Sequence, residues 1–296
     1  MKTALITGAA GFVGRHIGAA LGQAGWIVDG IDIRPARGVI QMDALDFFRF
    51  HAGRYDLLVH CAATIGGRAT IDGSPLAVAT NLALDSWAFM WARKRAKRMV
   101  YFSRSAAYPV ALQHEWATEP LHEWDIDPWN AREPDTTYGL AKVVGERLAE
   151  ERRAEGQHVA VFRPFSGCGE DQDLDYPVPA ICDRVRRRED PLTIWSDTVR
   201  DFIHIDDVVG AVLAALDQDV TGPVNLCTGV PTSFSQLAAR AAEIAGYRPE
   251  IKVLSDQPAG VARRVGDPTL MRSFYTPRVG LDEILRRCID TERKAA

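Results

Sequence analysis

The sequence has little cysteine, and what it has is scattered. Cys61, Cys168, Cys182, Cys227 and Cys288 are five in 296 residues, odd in number and never in a CxxC pair. That excludes a disulfide framework and a cysteine-rich zinc site, and it fits a reducing cytosol; no metal is expected. An excess of one charge is lacking too. With 35 basic and 39 acidic side chains the net charge is −4, so no global field draws the chain to nucleic acid or an anionic membrane. No stretch approaches 18 uninterrupted apolar residues, and the strand-like KTALIT at the start carries no separate apolar segment with a cleavage site. A soluble, cytoplasmic protein is expected, with no membrane and no nucleic-acid partner. There is no internal repeat or long linker. At 47% hydrophobic and 25% charged, the chain can bury one large core, or one core plus a small second domain.

What is present is alternation. LIT is followed by a predicted helix from Phe12 to about Ala24, then IVDGID; YDLLVHCA precedes a long helix to about Lys97, then RMVYFS, a helix from about Thr136 to Glu155, and HVAVFRP. Nearly continuous apolar strands alternating with helices predict an α/β fold, a Rossmann doubly wound parallel sheet covered on both faces. After Pro164 the composition turns to Gly, Pro and Asp, yet DFIHIDDVVGAVLAAL and GPVNLCTG read as a helix and a strand returning to the sheet. The expected division is therefore 1–165 plus about 202–229 for the first domain, and about 166–201 plus 230–296 for a smaller, discontinuous α/β domain. The basic runs RKRAKR and RVRRRED read as solvated faces, the first at a helix C-terminus where cations complement the dipole.

ALITGAAGFVGRH sets Gly8, Gly11 and Gly14 at the junction of the first strand and first helix, which opens with Phe12 and Val13. Glycines are needed where such a turn is tight, where backbone must approach a pyrophosphate, and where helix packs on strand. Downstream, IVDGIDIR presents Asp32, with Ile33 and Arg34 behind it, where an acidic side chain would accept from an adenosine ribose. A carboxylate there repels a 2′-phosphate and favours NAD over NADP. Asp43 and Ala44 could edge the adenine, and Cys61, Ala62, Ala63 and Thr64 end a buried strand where small residues let a cofactor come close; Asp43 could equally be a helix cap and the alanines core filler. TTYGLAKVVGERLAE then places Tyr138 and Lys142 four residues apart on one helical face. An ammonium beside a phenol favours the phenolate, suiting the tyrosine to proton transfer at a carbinol whose hydride goes to the cofactor.

Together TGAAGFVG, Asp32, HCAA, Asn81, YFSRSAAYP, YGLAK, RPF, RDFIHIDD and NLCTG resemble the extended short-chain dehydrogenase/reductase family, in its NAD-dependent epimerase/dehydratase branch acting on nucleotide sugars. The resemblance spans essentially the whole chain. It implies tightly held NAD, a nucleotide-diphosphate sugar as partner, and a homodimer formed by the helix bearing Tyr138 and the long helix before Arg98. Tyr138 matches the catalytic tyrosine, Lys142 the lysine that tunes it and holds the nicotinamide ribose, and Asn81 the supporting asparagine. Arg163, Phe165 and Ser166 match the segment that flanks the nicotinamide and begins the substrate site. Arg200 and Arg264 match arginines that clamp the diphosphate, although Arg200 could instead pair with Asp201 or Asp206.

The sequence departs from that pattern in places. WSDTVRD is shorter than the usual hairpin, and Ser105 and Ala106 stand where dehydratases keep carboxylates. Elimination and decarboxylation are thereby disfavoured, leaving a 4-epimerase that works through a transient keto-sugar by hydride transfer to and from bound NAD. An NAD(P)-dependent reductase or dehydrogenase of a nucleotide sugar or other carbonyl compound is the closest rival. A non-catalytic NAD-binding protein is another, because aligned from Tyr108 the expected catalytic hydroxyl falls on Arg104, which cannot relay a proton. Ser105, or less favourably Ser103, is expected to supply it, with Arg104 turning away or reaching toward substrate phosphate.

Overall fold

The computed structural model describes residues 1–64, 76–130, 132–254 and 260–291. Its strands are β1 (Thr3–Thr7), β2 (Ile27–Asp32), β3 (Val39–Gln41), β4 (Tyr55–His60), β5 (Ala96–Phe102), β6 (His158–Pro164), β7 (Ser166–Cys168), β8 (Leu192–Ile194), β9 (Val199–His204), β10 (Gly222–Leu226), β11 (Pro231–Ser233), β12 (Ile251–Val253) and β13 (Arg263–Arg264). Its helices are α1 (Phe12–Gln23), α2 (Ala44–Phe50), α3 (Ala77–Arg95), α4 (Thr137–Ala154), α5 (Pro177–Arg186), α6 (Ile205–Asp217), α7 (Phe234–Ile244), α8 (Thr269–Arg272) and α9 (Leu281–Asp290). Seven strands form one parallel sheet in the order β10-β6-β5-β4-β1-β2-β3. That is the doubly wound arrangement expected, in which the chain reverses direction beside β1 and ligands bind at the strands' carboxyl ends.

Strand alternation splits the core into two faces. Ala4, Ile6, Leu57, Val59, Val100, Phe102, Ala160 and Phe162 pack under α1 and α6, while Leu5, Leu58, Met99, Tyr101, Val159 and Val161 pack under α2 and α3. Each buried Leu, Ile, Val, Met or Phe among them is worth about 2 kcal/mol. Side chains that leave this apolar pattern at the strand ends are consequently conspicuous.

The smaller region has its own apolar cluster, built from α5, α7 and α9 with β8 and Phe202. The short strands β7, β11 and β13 all join β9 in a second sheet, so the return to the main sheet begins with α6 rather than with DFIHI. Asp201 stitches the two regions together. One oxygen accepts from the Thr228 amide at 2.8 Å and its hydroxyl at 2.7 Å, the other from the Gly229 amide at 2.8 Å and the Gly266 amide at 3.3 Å. Burial pushes its carboxyl pKa up against those bonds.

Candidate active site

The glycine turn is shaped for a group that needs bare backbone. Gly8 has φ +71°, and a Cβ there would lie 2.8 Å from the Cys61 carbonyl carbon and the Ala62 amide; a Cβ on Gly14 would collide with the Gly8 carbonyl. Gly11 caps α1 without a side chain, so no side-chain oxygen competes at the helix's positive end. Asp32 stands at the tip of β2, accepting from the Ala10 amide at 3.0 Å and the Arg34 amide at 2.9 Å, with the half-exposed Arg34 guanidinium 3.5 Å away. Its carboxylate is thus fastened over the turn. Asp43 accepts from the Leu45 amide at 2.7 Å as the cap of α2, the plainer of its two readings. The buried Ala44 follows it, and Ile33 is exposed. Across the turn, the Cys61 amide bonds to the Thr7 carbonyl and the Ala62 amide to the Thr7 hydroxyl, at 3.1 and 3.2 Å. This cradle fits a dinucleotide: glycine backbone and the α1 terminus for phosphate, Asp32 for ribose.

Beyond it lies the tyrosine. α4 is capped by Thr136, whose φ of +89° is an unfavourable conformation for a β-branched residue and whose hydroxyl accepts from the Gly139 amide at 3.3 Å. A Cβ on Gly139 would strike the Ala106 carbonyl, which also accepts from the Asp135 amide at 3.1 Å. The helix bearing Tyr138 is thereby pressed onto the single helical turn Ser105–Ala107. Strand alternation stops at Phe102, and the two serines part company. The Ser103 hydroxyl donates to Glu146 at 2.5 Å and is committed to the core, whereas Ser105, also buried, makes no side-chain hydrogen bond with any described residue. Arg104 does not turn away: its guanidinium carbon lies 5.6 Å from the centre of the Tyr138 ring. The expectation of an averted arginine fails because the chain leaves the strand before the alternation can carry it to the other face.

Lys142 lies 5.7 Å from the Tyr138 ring centre and 3.4 Å from Asp85, a buried carboxylate on α3. Asp85 also accepts from Tyr101 at 2.6 Å and sits 3.1 Å from His60, whose other ring nitrogen is 2.7 Å from the Thr7 hydroxyl. Thr7, His60 and Tyr101 are in register across β1, β4 and β5, which is why they meet. Burial alone would raise the Asp85 pKa, but Lys142, then His60 and Tyr101, outweigh it and hold it low. Burial likewise works against the Lys142 ammonium, and Asp85 followed by Tyr138 hold its pKa above the usual value. Asn81, one turn before Asp85, bonds the Thr64 amide at 2.7 Å and the Thr64 carbonyl at 3.0 Å, fixing the end of the HCAAT segment. Asp85, His60 and Tyr101 escaped the sequence reading. The signal was there: Asp85 is a charge on the face of α3 that buries Leu84, Ala88 and Phe89.

Other expected residues divide. Arg163 is 1% exposed, and its guanidinium is bound to Glu146 at 2.5 and 2.9 Å and to Tyr108 at 3.1 Å, so its side chain serves the core instead of a cofactor. Phe165 is buried against Tyr108, with ring centres 5.9 Å apart, and the half-buried Ser166 opens β7. Arg200 and Arg264 are partners in the β9–β13 register, which puts two guanidinium side chains on neighbouring strands. Arg264 is steadied by Gln113 at 2.6 Å and Asp135 at 2.5 Å, and Arg200 donates to the Val199 carbonyl at 2.8 Å; Asp201 and Asp206 are engaged elsewhere, with Thr228 and Arg287. The smaller region adds Tyr176, the cap of α5, whose pKa burial raises and the nearby Arg104 opposes.

A doubly wound sheet with a glycine cradle, an acidic strand tip and a Tyr/Lys pair at the carboxyl ends defines an NAD-binding enzyme of the dehydrogenase type. Residues 4–227 match the NAD dependent epimerase/dehydratase family, and the chain belongs to that family. Among curated proteins it is 28% identical to dTDP-4-dehydro-6-deoxy-D-allose reductase of Streptomyces bikiniensis, over 96% of this chain and 95% of that one. Among solved structures, the UDP-glucose 4-epimerase of Thermotoga maritima with UDP-glucose superposes with a TM-score of 0.83 at 25% identity, covering 97% of each chain. The Thermus thermophilus UDP-glucose 4-epimerase, in complex with NAD, gives 0.84 at 23%, covering 97% of this chain and 98% of that one. NAD is the cofactor. No described helix is long and apolar enough to cross a membrane.

Proposed function

We propose that the chain is a nucleotide-sugar 4-epimerase. The observation that carries this reading is the Ser105–Ala107 turn against Tyr138: it brings a hydroxyl, a phenol and Lys142 to the strand ends and no carboxylate of its own. Elimination of water needs an acid/base pair beyond the tyrosine; reversible oxidation of a carbinol does not. When bound, NAD supplies the acceptor and later the donor of the hydride. The chain's part is the proton. Lys142, kept charged by Asp85, favours the Tyr138 phenolate; the phenolate takes the proton of the sugar 4-hydroxyl, and Ser105 bridges the two oxygens. The same groups return the proton once the keto-sugar has presented its other face. Arg200 and Arg264 suit the diphosphate because a guanidinium fork stays charged and can bind phosphate bidentately.

Reduction of a keto-sugar is the second reading, favoured by the Streptomyces relative. Purified protein with a trace of NAD should convert a nucleotide sugar to its 4-epimer without net NADH. Stoichiometric NADH consumption with a 4-keto-sugar, and no epimer, overturns the epimerase in favour of the reductase; neither activity would leave an NAD-binding protein. We further propose a cytoplasmic homodimer. Supporting it are the apolar residues left exposed on α3 and α4, Met90 at 54%, Leu140 at 45% and Val144 at 39%, and a cysteine content that is sparse, scattered and never in a CxxC pair.

A further inference from the structure

Around Tyr138 the charges do not balance. Lys142 is matched by Asp85, Arg163 by Glu146 and Arg264 by Asp135. Arg104 is different: its guanidinium lies over Tyr138, close enough to Tyr176 to oppose the rise of that phenol's pKa, and it has no ion pair or side-chain hydrogen bond among the described residues. A half-buried guanidinium over a phenol ring has given up part of its hydration, and a ring face is a weaker partner for it than an anion. It is a cation awaiting an anion.

We infer that Arg104 recognises a carboxylate on the sugar, so that the substrate class is a nucleotide-linked uronic acid or a similarly acidic sugar; this rests on the nucleotide-sugar 4-epimerase reading. Sugar chemistry decides between that carboxylate and the diphosphate. In a hexose the reacting C4 and the phosphate-bearing C1 stand opposite each other across the ring, whereas the substituent on C5 is adjacent to C4. A guanidinium stationed 5.6 Å from the ring of the proton-transferring tyrosine therefore meets the C5 substituent, while Arg200 and Arg264 on the β9–β13 pair are the candidates for the far end. A neutral hydroxymethyl group would leave Arg104 unpaired and partly desolvated on closure; a carboxylate gives it a planar, bidentate partner. The site would thus discriminate by rewarding the acid and penalising the alcohol.

The test uses matched pairs differing only at C6: UDP-glucose and UDP-glucuronic acid, GDP-mannose and GDP-mannuronic acid, dTDP-glucose and dTDP-glucuronic acid, each titrated into the NAD-loaded protein. In the pair whose base the protein accepts, the acid should bind at least 30-fold more tightly. Arg104→Gln should collapse that ratio to near one and Arg104→Lys should keep part of it, with NAD still raising the melting temperature of both variants as evidence of folding. A wild-type ratio near one, or a ratio that Arg104→Gln leaves intact, overturns the inference while the nucleotide-sugar reading stands. Binding of none of the six overturns that reading, and the inference with it.

Discussion

Lys142 and Asp85 face each other at 3.4 Å, both almost fully buried, and so join the helix that carries the tyrosine to the long helix before β5. The pair explains how an ammonium stays charged there. On the proposed mechanism it also couples stability to proton transfer.

Asp85→Asn should lower the pKa of Lys142, because burial, which pulls it down, would no longer be outweighed. The alkaline limb of the pH–activity profile should move down by about 1–3 pH units. Stability should drop as well, by about 3 kcal/mol at neutral pH, as expected when one partner of a buried pair is removed. The sign follows from the two shifts. Asp85, held low, stabilises above its unfolded pKa and loses that as pH falls through its folded value. Lys142, held high, stabilises below its unfolded pKa and loses that as pH rises through its folded value. Denaturant titrations of both proteins should differ most between about pH 5 and 9, and a difference growing outside that window would refute the pairing.

Ser105→Ala should reduce kcat by about 10²-fold or more with little change in the melting temperature, since the hydroxyl has no described partner to lose. Ser103→Ala should do the reverse. It leaves Glu146 short of a donor in the core, so calorimetry should show a loss of about 1–3 kcal/mol while turnover per folded molecule holds. If kcat falls more steeply for Ser103→Ala, the assignment of the two serines is wrong.

Gly145→Ala tests how Tyr101 reaches Asp85. A Cβ at 145 would collide with the Tyr101 hydroxyl, so the helix must shift or the tyrosine must let go. Although alanine is the better helix former by about 1 kcal/mol, overpacking should outweigh this and leave the variant less stable. Adding Tyr101→Phe should recover part of the loss. Additive effects in that double-mutant cycle would show that the two do not touch.

Gly8→Ala meets both a positive φ and the Cys61–Ala62 backbone, and should weaken NAD binding by orders of magnitude when measured by calorimetric titration. Asp32→Ala should weaken NAD by about 10- to 100-fold, as loss of a charged hydrogen-bond partner predicts, and reduce discrimination against NADP. Equal affinity for NAD and NADP in the wild type would contradict the role given to Asp32.

Leu140→Glu with Val144→Glu places two carboxylates on the exposed apolar stripe of α4. Light scattering should then show the dimer giving way to monomer. A wild-type protein that is already monomeric at micromolar concentration dismisses the dimer.

The residues that could be read directly are those whose meaning lies within a few positions of the chain. The Gly8–Gly14 turn, Asp32 at its strand tip and the four-residue spacing of Tyr138 and Lys142 depend on strand and helix periodicity, which act locally, so sequence order alone placed them on the correct elements. Where two local readings were possible, packing chose. Ser103 and Ser105 share a parity, but Glu146, forty-three positions away, claims the first. Arg163 lies in the segment expected beside the nicotinamide, and Glu146 claims it as well. Asp85 became part of the site because Thr7, His60 and Tyr101 align across three strands and Gly145 leaves room for a hydroxyl. Arg104 came to lie over Tyr138 because β5 ends at Phe102 and a tight turn replaces the alternation. Composition and spacing thus determined the class of fold, the glycine turn and the pairing of Tyr138 with Lys142 on one helical face. Which hydroxyl and which cation have no partner among the described residues was decided by the tertiary structure, because burial forces polar groups to find partners, and those partners come from distant parts of the chain.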